Sequence, residues 1–299
     1  MANSNKPQIH GHRGARGRYP ENTLESVQFA IGSGADGAEV DLCVSQDDIV
    51  VVHHDLALSP DIAIAPDNHR IVAPIPLRSL TYREIERFDV GSIRPGSDYA
   101  ARFPEQRAVP GSTVPTLEQF ITLILEHAPD DFVFNLELKG DPYHPELIPS
   151  PRHYVSLVLD IVDRFPIAHR TFIQSFDWRL IKLVQRRSPG LLTGLLTDLQ
   201  SPGHPHVPKV GHTDPWTDGW SLEDVDGSMP RMVASAGSPV WSSHHLDLSA
   251  ELVQEAHDLG LKVYTYTVNQ VEEMEKLLTW GVDVITTDFP DKMISALSK

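Results

Sequence analysis

Short apolar runs alternate with amphipathic segments along almost the whole chain, and this alternation constrains the fold more than any other feature. Apolar runs separated by helical patterns predict parallel strands joined by helices, because parallel strands need a long crossover connection. We predict strands at 8–11, 37–44, 132–138, 171–176, 191–196, 239–243, 262–268 and 282–287. Eight β/α repeats close a TIM barrel, so we expect an α/β fold of the (β/α)8 TIM-barrel class.

Amphipathic patterns between these runs predict the helices of the barrel. They lie at 24–32, 117–127, 154–164, 178–187, 250–259 and 271–280. Asn22, with Glu25 three residues later, is predicted to cap the first helix. Another apolar run, at 49–53, follows the second strand after too few residues for a parallel crossover. We therefore expect a small antiparallel β-hairpin excursion after the second strand.

The length of the chain favours one domain with insertions. A chain of 299 residues with 40% hydrophobic content can form one large α/β domain. We predict a single domain over 1–299, with insertions at about 45–115 and a long late one at 199–232. Segments 56–79 and 199–232 exceed ordinary loop lengths. Each is expected to be a lid or a binding loop, and the alternative is surface decoration or an oligomer contact.

Three histidines in the late insertion raise the question of a zinc site. His204, His206 and His212 lack accompanying cysteines and the tight spacing of zinc ligands. We therefore do not favour zinc binding.

The charge balance and the cysteine content exclude several function classes. The 25 lysines and arginines against 41 aspartates and glutamates leave a formal net charge of −16, which repels nucleic acid and anionic membranes. Because Cys43 is the only cysteine of the chain, an intrachain disulfide cannot form. Its place within an apolar strand predicts a buried packing role. Without a signal peptide or a membrane span, we expect a cytoplasmic protein, although removal of an export signal would leave the same sequence. The oligomeric state is not predicted.

Three acidic residues occupy matching places on two predicted strands. Glu39 and Asp41 are two residues apart on the second strand, so both project to the same face. Glu137 takes the matching place on the next barrel strand. Three buried oxygen donors suit one divalent cation, Mg²⁺ or Ca²⁺, with coordination left for water and substrate. For each acid alone, the alternative is a salt bridge or an exposed loop position.

Histidine and basic side chains accompany these acids. Imidazole titrates near neutrality, so His12 and His54 are predicted to remove and donate protons as a pair. Arg13 and Lys139, the latter on the same face as Glu137, are expected to balance the acids or to hold a substrate anion, the alternative being surface positions. Packing or hydrogen-bonding roles are expected for His10, His53, His244 and His245.

Eight short motifs follow one another along the chain. They are HRG at 12–14, PENT at 20–23, GADGAEVD at 34–41, VVHHD at 51–55, LELK at 136–139, QSF at 174–176, YTYTVN at 264–269 and GVDVITTDFP at 281–290. In this order they resemble the glycerophosphodiester phosphodiesterase family, within the phospholipase-C-like TIM-barrel phosphodiesterases. Two features depart from the family, namely Tyr266, where relatives often carry tryptophan, and the 199–232 insertion.

The resemblance implies hydrolysis of glycerophosphodiesters to sn-glycerol 3-phosphate and an alcohol. It assigns the divalent metal to Glu39, Asp41 and Glu137, general base and general acid catalysis to His12 and His54, and phosphate binding to Arg13 and Lys139. The attacking oxygen comes either from water or from the glycerol 2-hydroxyl through a cyclic phosphate. The alternatives are a lysophospholipase D-type or phosphoinositide-type enzyme of the same superfamily, and a non-catalytic phosphate-ligand binder.

Overall fold

The structure, a computed structural model, describes residues 6–200 and 214–298. Its strands in chain order are β1 (Gln8–Gly11), β2 (Gly37–Val44), β3 (Val50–Val52), β4 (Ala57–Leu58), β5 (Ile75–Pro76), β6 (Val133–Leu138), β7 (Thr171–Ser175), β8 (Leu192–Thr197), β9 (Val240–His244), β10 (Lys262–Tyr266) and β11 (Val284–Thr287). Each of the predicted strands is present, with ends that move by at most two residues.

The helices lie between these strands. They are α1 (Leu24–Gly32), α2 (Tyr82–Ile85), α3 (Asp98–Arg102), α4 (Leu117–His127), α5 (Pro151–Arg164), α6 (Trp178–Arg187), α7 (Met229–Ser235), α8 (Ala250–Asp258), α9 (Val271–Trp280) and α10 (Pro290–Leu297). Short 3-10 turns lie at Leu77–Ser79, Pro145–Leu147, Ala168–Arg170, Pro215–Thr217, Leu222–Val225 and His245–Asp247. The six predicted helices are confirmed. The short α2, α3, α7 and α10 were not predicted, and in α7 and α10 a proline occupies the first turn, where it is compatible with a helix.

Eight parallel strands form a closed barrel within the described ranges. Their order around the barrel is β1, β11, β10, β9, β8, β7, β6 and β2, and pairing of β1 with β2 closes it. The predicted (β/α)8 TIM-barrel class is therefore confirmed. The short β3 pairs antiparallel with the end of β2, with Leu42 opposite Val52, which confirms the hairpin excursion. Closure brings the first and last strands together, so groups at the two ends of the chain share one mouth.

The start of α1 differs from the prediction. Thr23 caps this helix, because its side chain accepts a hydrogen bond from the Ser26 N–H at 3.2 Å. Asn22 has a φ of +56°, in the left-handed region that asparagine tolerates, and its amide donates to Asp41 Oδ2 at 2.9 Å. The predicted capping pair of Asn22 and Glu25 is wrong, because Asn22 turns into the barrel mouth instead.

The barrel interior changes from apolar to polar along its axis. Near the amino-terminal ends of the strands, the side chains form a buried apolar cluster that includes Phe172, Val240, Tyr264 and Val284. Above it, the fully buried His10 contacts Asn135 through Nδ1, 3.3 Å from Nδ2. Charged side chains occupy the carboxyl-terminal mouth, where the strands of a TIM barrel present their functional groups.

The segment between β3 and α4 has an apolar cluster of its own. Leu58, Leu77, Ile85 and Phe88 of this segment pack in one cluster with Cys43, near the end of β2. The predicted buried role of Cys43 is confirmed, and its thiol donates to the backbone carbonyl of His53 at 3.1 Å.

Two other features of the chain concern membranes and the late histidines. Over 6–200 and 214–298, no helix is both long enough and apolar enough to cross a membrane. His204, His206 and His212 lie outside the described residues.

Candidate active site

Three carboxylates converge at the mouth of the barrel. Glu39 and Asp41 project inward from β2, and Glu137 projects inward from β6, where it lies opposite Asp41 in the parallel register. One oxygen from each side chain lies within 4.8 Å of the other two, and all three residues are buried. The structure therefore brings together the three acids that the strand pattern predicted.

Burial and mutual repulsion perturb these carboxyl groups. Burial and the charges of Asp41 and Glu137 raise the pKa of Glu39 well above its usual value. Burial also raises the pKa of Glu137. Burial acts in the same direction on Asp41, but the charges of His54 and Lys139 outweigh it and lower the Asp41 pKa. Such a trio is favourable only with additional positive charge beside it.

Two cationic side chains lie within this acidic cluster. Lys139 Nζ is 2.6 Å from Glu137 Oε1 and 3.4 Å from Asp41 Oδ1. Arg13 Nη1 is 2.8 Å from Glu21 Oε1, and its Nε is 3.4 Å from Asp41 Oδ2. Burial acts to lower the pKa of Lys139, but Glu137 and Asp41 raise it above its usual value. Both cations are therefore charged near neutral pH and lie beside the three acids in the barrel mouth.

His12 lies beside the acids, directly after β1. Its Nε2 is 3.8 Å from Glu39 Oε2, its Nδ1 is 2.7 Å from Asp288 Oδ1, and its side chain is 12% exposed. Burial, assisted by the charge of Arg16, lowers the pKa of His12 to about 4, although Asp288 opposes the shift. The imidazole is therefore neutral near pH 7, the form that accepts a proton.

The histidine pair after β3 divides into one accessible and one buried side chain. His54 is 30% exposed, and its Nδ1 is 2.7 Å from Asp55 Oδ1. Burial and the charge of Arg13 lower the His54 pKa well below its usual value, while Asp41 opposes the shift. His53 is buried, with Nδ1 2.9 Å from the Asp55 carbonyl oxygen. The structure thus places His54 beside the cluster and gives His53 a hydrogen-bonding position.

The remaining histidines near strand ends occupy other surroundings. His10 lies inside the barrel beside Asn135, and burial lowers its pKa to about 3. His244 packs its ring against Tyr266 at a centroid distance of 5.8 Å and against His245 at 4.8 Å. Packing and hydrogen-bonding positions of this kind match the expectations from the sequence.

Comparison with known proteins identifies the family. A model of the glycerophosphoryl diester phosphodiesterase family matches residues 12–292, which is almost the whole chain. The chain belongs to the glycerophosphoryl diester phosphodiesterase family. The family expected from the ordered motifs is therefore confirmed, together with its enzyme class.

Individual members of the family agree with this assignment. A protein from Silicibacter pomeroyi DSS-3, assigned as a glycerophosphoryl diester phosphodiesterase, has a crystal structure with a TM-score of 0.86, 35% identity and coverage of 98% of this chain and 93% of that chain. A glycerophosphodiester phosphodiesterase from Bacillus altitudinis is 27% identical over 286 residues, 96% of each chain. A phosphodiesterase from Oleispira antarctica, solved with its product sn-glycerol-3-phosphate, shares the fold, with a TM-score of 0.69, 22% identity and coverage of 98% and 97%.

Several polar residues of this family member were not assigned to the site from the sequence. Asp288 and Arg16 form an ion pair beside His12, and Asn22 donates to Asp41. Asp288 directly follows the last barrel strand, and that position alone was a signal, because functional groups of TIM barrels occur at carboxyl-terminal strand ends. Arg16 carried no such signal, since its position depends on how the loop after β1 folds.

Proposed function

We propose that this chain hydrolyses glycerophosphodiesters to sn-glycerol 3-phosphate and an alcohol, in a reaction that depends on a divalent cation. Family membership supports the reaction class, and the product bound to the Oleispira antarctica relative is sn-glycerol-3-phosphate. The observation that carries the proposal is the position of His12 Nε2, 3.8 Å from Glu39 of the three-carboxylate cluster. The proposed proton acceptor and the carboxylates proposed to bind the cation therefore lie side by side in the barrel mouth.

The donor set fits a hard divalent cation, Mg²⁺ or Ca²⁺. Glu39, Asp41 and Glu137 would hold it through carboxylate oxygens, the ligands that these ions prefer. Glu39 Oε1 is buried and has no hydrogen-bond partner among the described residues, which is the state of an oxygen suited to a cation. When bound, the cation supplies Lewis-acid stabilisation of the negative charge that builds on the phosphoryl oxygens.

Arg13 and Lys139 would hold the phosphate of the substrate. Both are charged, and both lie against the acidic cluster instead of pointing to solvent. Preorganised cations in a buried pocket stabilise charge that develops during phosphoryl transfer, because they need no rearrangement at the moment of reaction. The planar Arg13 group can bind two oxygens at once, and the Lys139 ammonium acts as a point charge.

The two histidines would move the protons. His12 accepts a proton at Nε2 from the attacking hydroxyl, whether this belongs to water or to the substrate glycerol. His54, in its protonated form, would donate a proton to the oxygen of the departing alcohol; the charge of Asp41 and the negative phosphate of a bound substrate both favour that form. The His54 side chain is partly exposed and pairs with Asp55 through Nδ1, so Nε2 remains for the substrate and solvent can replace the lost proton.

Activity assays on matched histidine variants test this proposal. We expect glycerophosphocholine turnover in the Mg²⁺- or Ca²⁺-loaded protein, and a loss of roughly 10²- to 10⁴-fold in His12→Gln and His54→Gln. His153→Gln removes a half-exposed histidine that pairs with Asp48, and it should retain the wild-type rate. Wild-type turnover in His12→Gln would refute the assignment.

A substrate comparison separates the alternatives within the superfamily. A glycerophosphodiesterase hydrolyses glycerophosphocholine faster than lysophosphatidylcholine, and a lysophospholipase D-type enzyme shows the opposite order. A phosphoinositide-type enzyme would instead require an inositol headgroup. Binding of glycerol 3-phosphate without turnover of any of these substrates would indicate a non-catalytic binder.

A further inference from the structure

The carboxylate of Asp288 is held by donors on both of its oxygens. Arg16 Nε donates to Oδ1 at 2.8 Å, and Arg16 Nη2 donates to Oδ2 at 3.1 Å. The amide of Asn269 donates to Oδ2 at 2.7 Å, and its carbonyl oxygen accepts from the Asp288 backbone N–H at 3.0 Å. Asp288 itself is only 1% exposed. This carboxylate therefore has a single orientation relative to the strand that precedes it.

His12 is a further hydrogen-bond partner of this carboxylate. Its Nδ1 lies 2.7 Å from Asp288 Oδ1, and its backbone N–H donates to the Thr287 carbonyl oxygen at 2.7 Å. β1 and β11 are neighbours in the barrel, so His12 and Asp288 each follow the end of one of two paired strands. The backbone and the side chain of His12 are thus fixed by the last residue of β11 and by the residue that follows it.

The charge state of Asp288 determines which nitrogen of His12 carries the proton. A bidentate arginine and an amide N–H all donate to Asp288, so it is an ionised carboxylate, which can only accept hydrogen bonds. A 2.7 Å contact with an acceptor requires a proton on His12 Nδ1. In the neutral ring, Nε2 is then a bare acceptor, and Nε2 is the nitrogen nearest to Glu39.

We propose that Asp288, clamped by Arg16 and Asn269, is the positioning residue that sets the tautomer and the orientation of His12. The inference rests on the proposed function, in which His12 Nε2 accepts the proton of the attacking hydroxyl. That proton binds to Nε2 while the Nδ1 proton remains shared with Asp288, so the imidazolium forms beside a fixed negative charge. Asp288 does not contact the substrate, and it acts through His12.

Packing and hydrogen bonding together restrain the arginine of the clamp. Arg16 is 6% exposed, and its guanidinium lies over the ring of Phe103 at 4.6 Å. Packing on one face and a bidentate contact at the edge leave this side chain little freedom. Arg16 therefore holds the Asp288 carboxylate in the orientation that meets His12 Nδ1.

Substitution of Asp288 tests the positioning role kinetically. Asp288→Asn keeps the size of the side chain but can donate a hydrogen bond to His12 Nδ1, which favours the wrong tautomer. We expect kcat to fall at least about 100-fold with KM within about threefold, because tautomer control affects the reaction more than substrate binding. Asn269→Ala removes one donor of the clamp and should lower kcat by about tenfold. Asp291→Asn, which affects the outer Arg18 ion pair, is the matched control.

The tautomer can be observed directly in the wild-type protein. With ¹⁵N-labelled histidine in the Mg²⁺-loaded enzyme at about pH 8, NMR should show a directly bonded proton on His12 Nδ1 and none on Nε2. The His12→Gln spectrum identifies the resonances. In Asp288→Asn the proton should move to Nε2 in a large share of molecules.

The outcomes separate this inference from the proposed function. A wild-type protein with the proton on Nε2, or a folded Asp288→Asn variant with the wild-type kcat, would overturn the positioning role. If Asp288→Asn does not fold, the wild-type NMR spectrum still tests which nitrogen of His12 carries the proton. Absence of glycerophosphodiester turnover in the wild type would instead refute the proposed function, since the tautomer is measured without activity.

Discussion

Asp41 and Glu137 lie directly opposite each other on the adjacent parallel strands β2 and β6. Their side chains point into the barrel. Lys139, two residues after Glu137, lies between them, and its ammonium contacts both carboxylates. The pairing of two strands thus brings these acids together, and the residue that follows β6 supplies the neighbouring positive charge. Four expected results follow from this arrangement and from the barrel beneath it.

Glu39→Gln should stabilise the metal-free protein and weaken cation binding. Burial raises the Glu39 pKa above its usual value, so folded stability is lost as pH rises from the unfolded pKa towards the folded one. At pH 7 the amide avoids this cost, and we expect about 1–3 kcal/mol more stability in urea unfolding with chelator present. Calorimetric titration should show at least about tenfold weaker Mg²⁺ or Ca²⁺ binding, since one charged donor is gone.

The exposed Glu126→Gln variant is the control for this result, because Glu126 has no role in the barrel mouth. It should change neither the stability of the metal-free protein nor the affinity for Mg²⁺ or Ca²⁺. A metal-free Glu39→Gln protein less stable than the wild type would contradict the expected repulsion among the three acids.

Lys139→Met should separate cation binding from substrate binding. The ammonium competes with a bound cation for Glu137 and Asp41, so its removal should tighten Mg²⁺ or Ca²⁺ binding several-fold. It also removes a charge for the phosphate, and we expect KM to rise about tenfold or more, equivalent to about 1.4 kcal/mol. Lys182→Met, an exposed lysine paired with Asp218, serves as the control. Weaker cation binding together with an unchanged KM would argue against this position for the phosphate.

His10→Gln should reduce the sensitivity of the fold to acid. Burial lowers the pKa of His10 to about 3, so between about pH 6.5 and pH 3 the unfolded chain binds a proton that the folded protein does not. Stability contributed by the neutral imidazole is therefore present above pH 6.5 and is lost as pH falls. We expect the wild type to lose roughly 1.4 kcal/mol more per pH unit than the variant between about pH 6 and pH 4. Urea unfolding at several pH values measures both slopes, and equal slopes would exclude a buried neutral His10.

Gly194→Ala should destabilise the barrel beneath the site. A Cβ at this position of β8 would lie 2.6 Å from the Phe172 ring and 3.0 Å from Ser242 Oγ, in a packed interior. Overpacking of this kind costs about 1–3 kcal/mol. Gly190→Ala is the matched control, because its Cβ meets nothing within 4 Å, and it should stay within about 0.5 kcal/mol of the wild type. Similar unfolding midpoints for the two variants would show that the interior has room at Gly194.

The regular part of the fold could be predicted from local pattern. Short apolar runs between helical patterns indicated the eight barrel strands. The two-residue period of a strand indicated that Glu39 and Asp41 share a face. The boundaries of α1, α4, α6 and α9 were predicted to the residue. The capping of α1 was predicted wrongly, because Asn22 satisfies local capping chemistry equally well but has a partner in Asp41 on the next strand.

The sequence by itself determined the β/α order, the inward face of β2 and the residue types that can bind a cation, because each of these depends on neighbours within a few positions. Only the tertiary structure decided that His12 meets Asp288, 276 positions along the chain. Closure of the barrel through β1, β2 and β11 causes that meeting. Such closure is a property of all eight strands together, and no local pattern around His12 or Asp288 contains it.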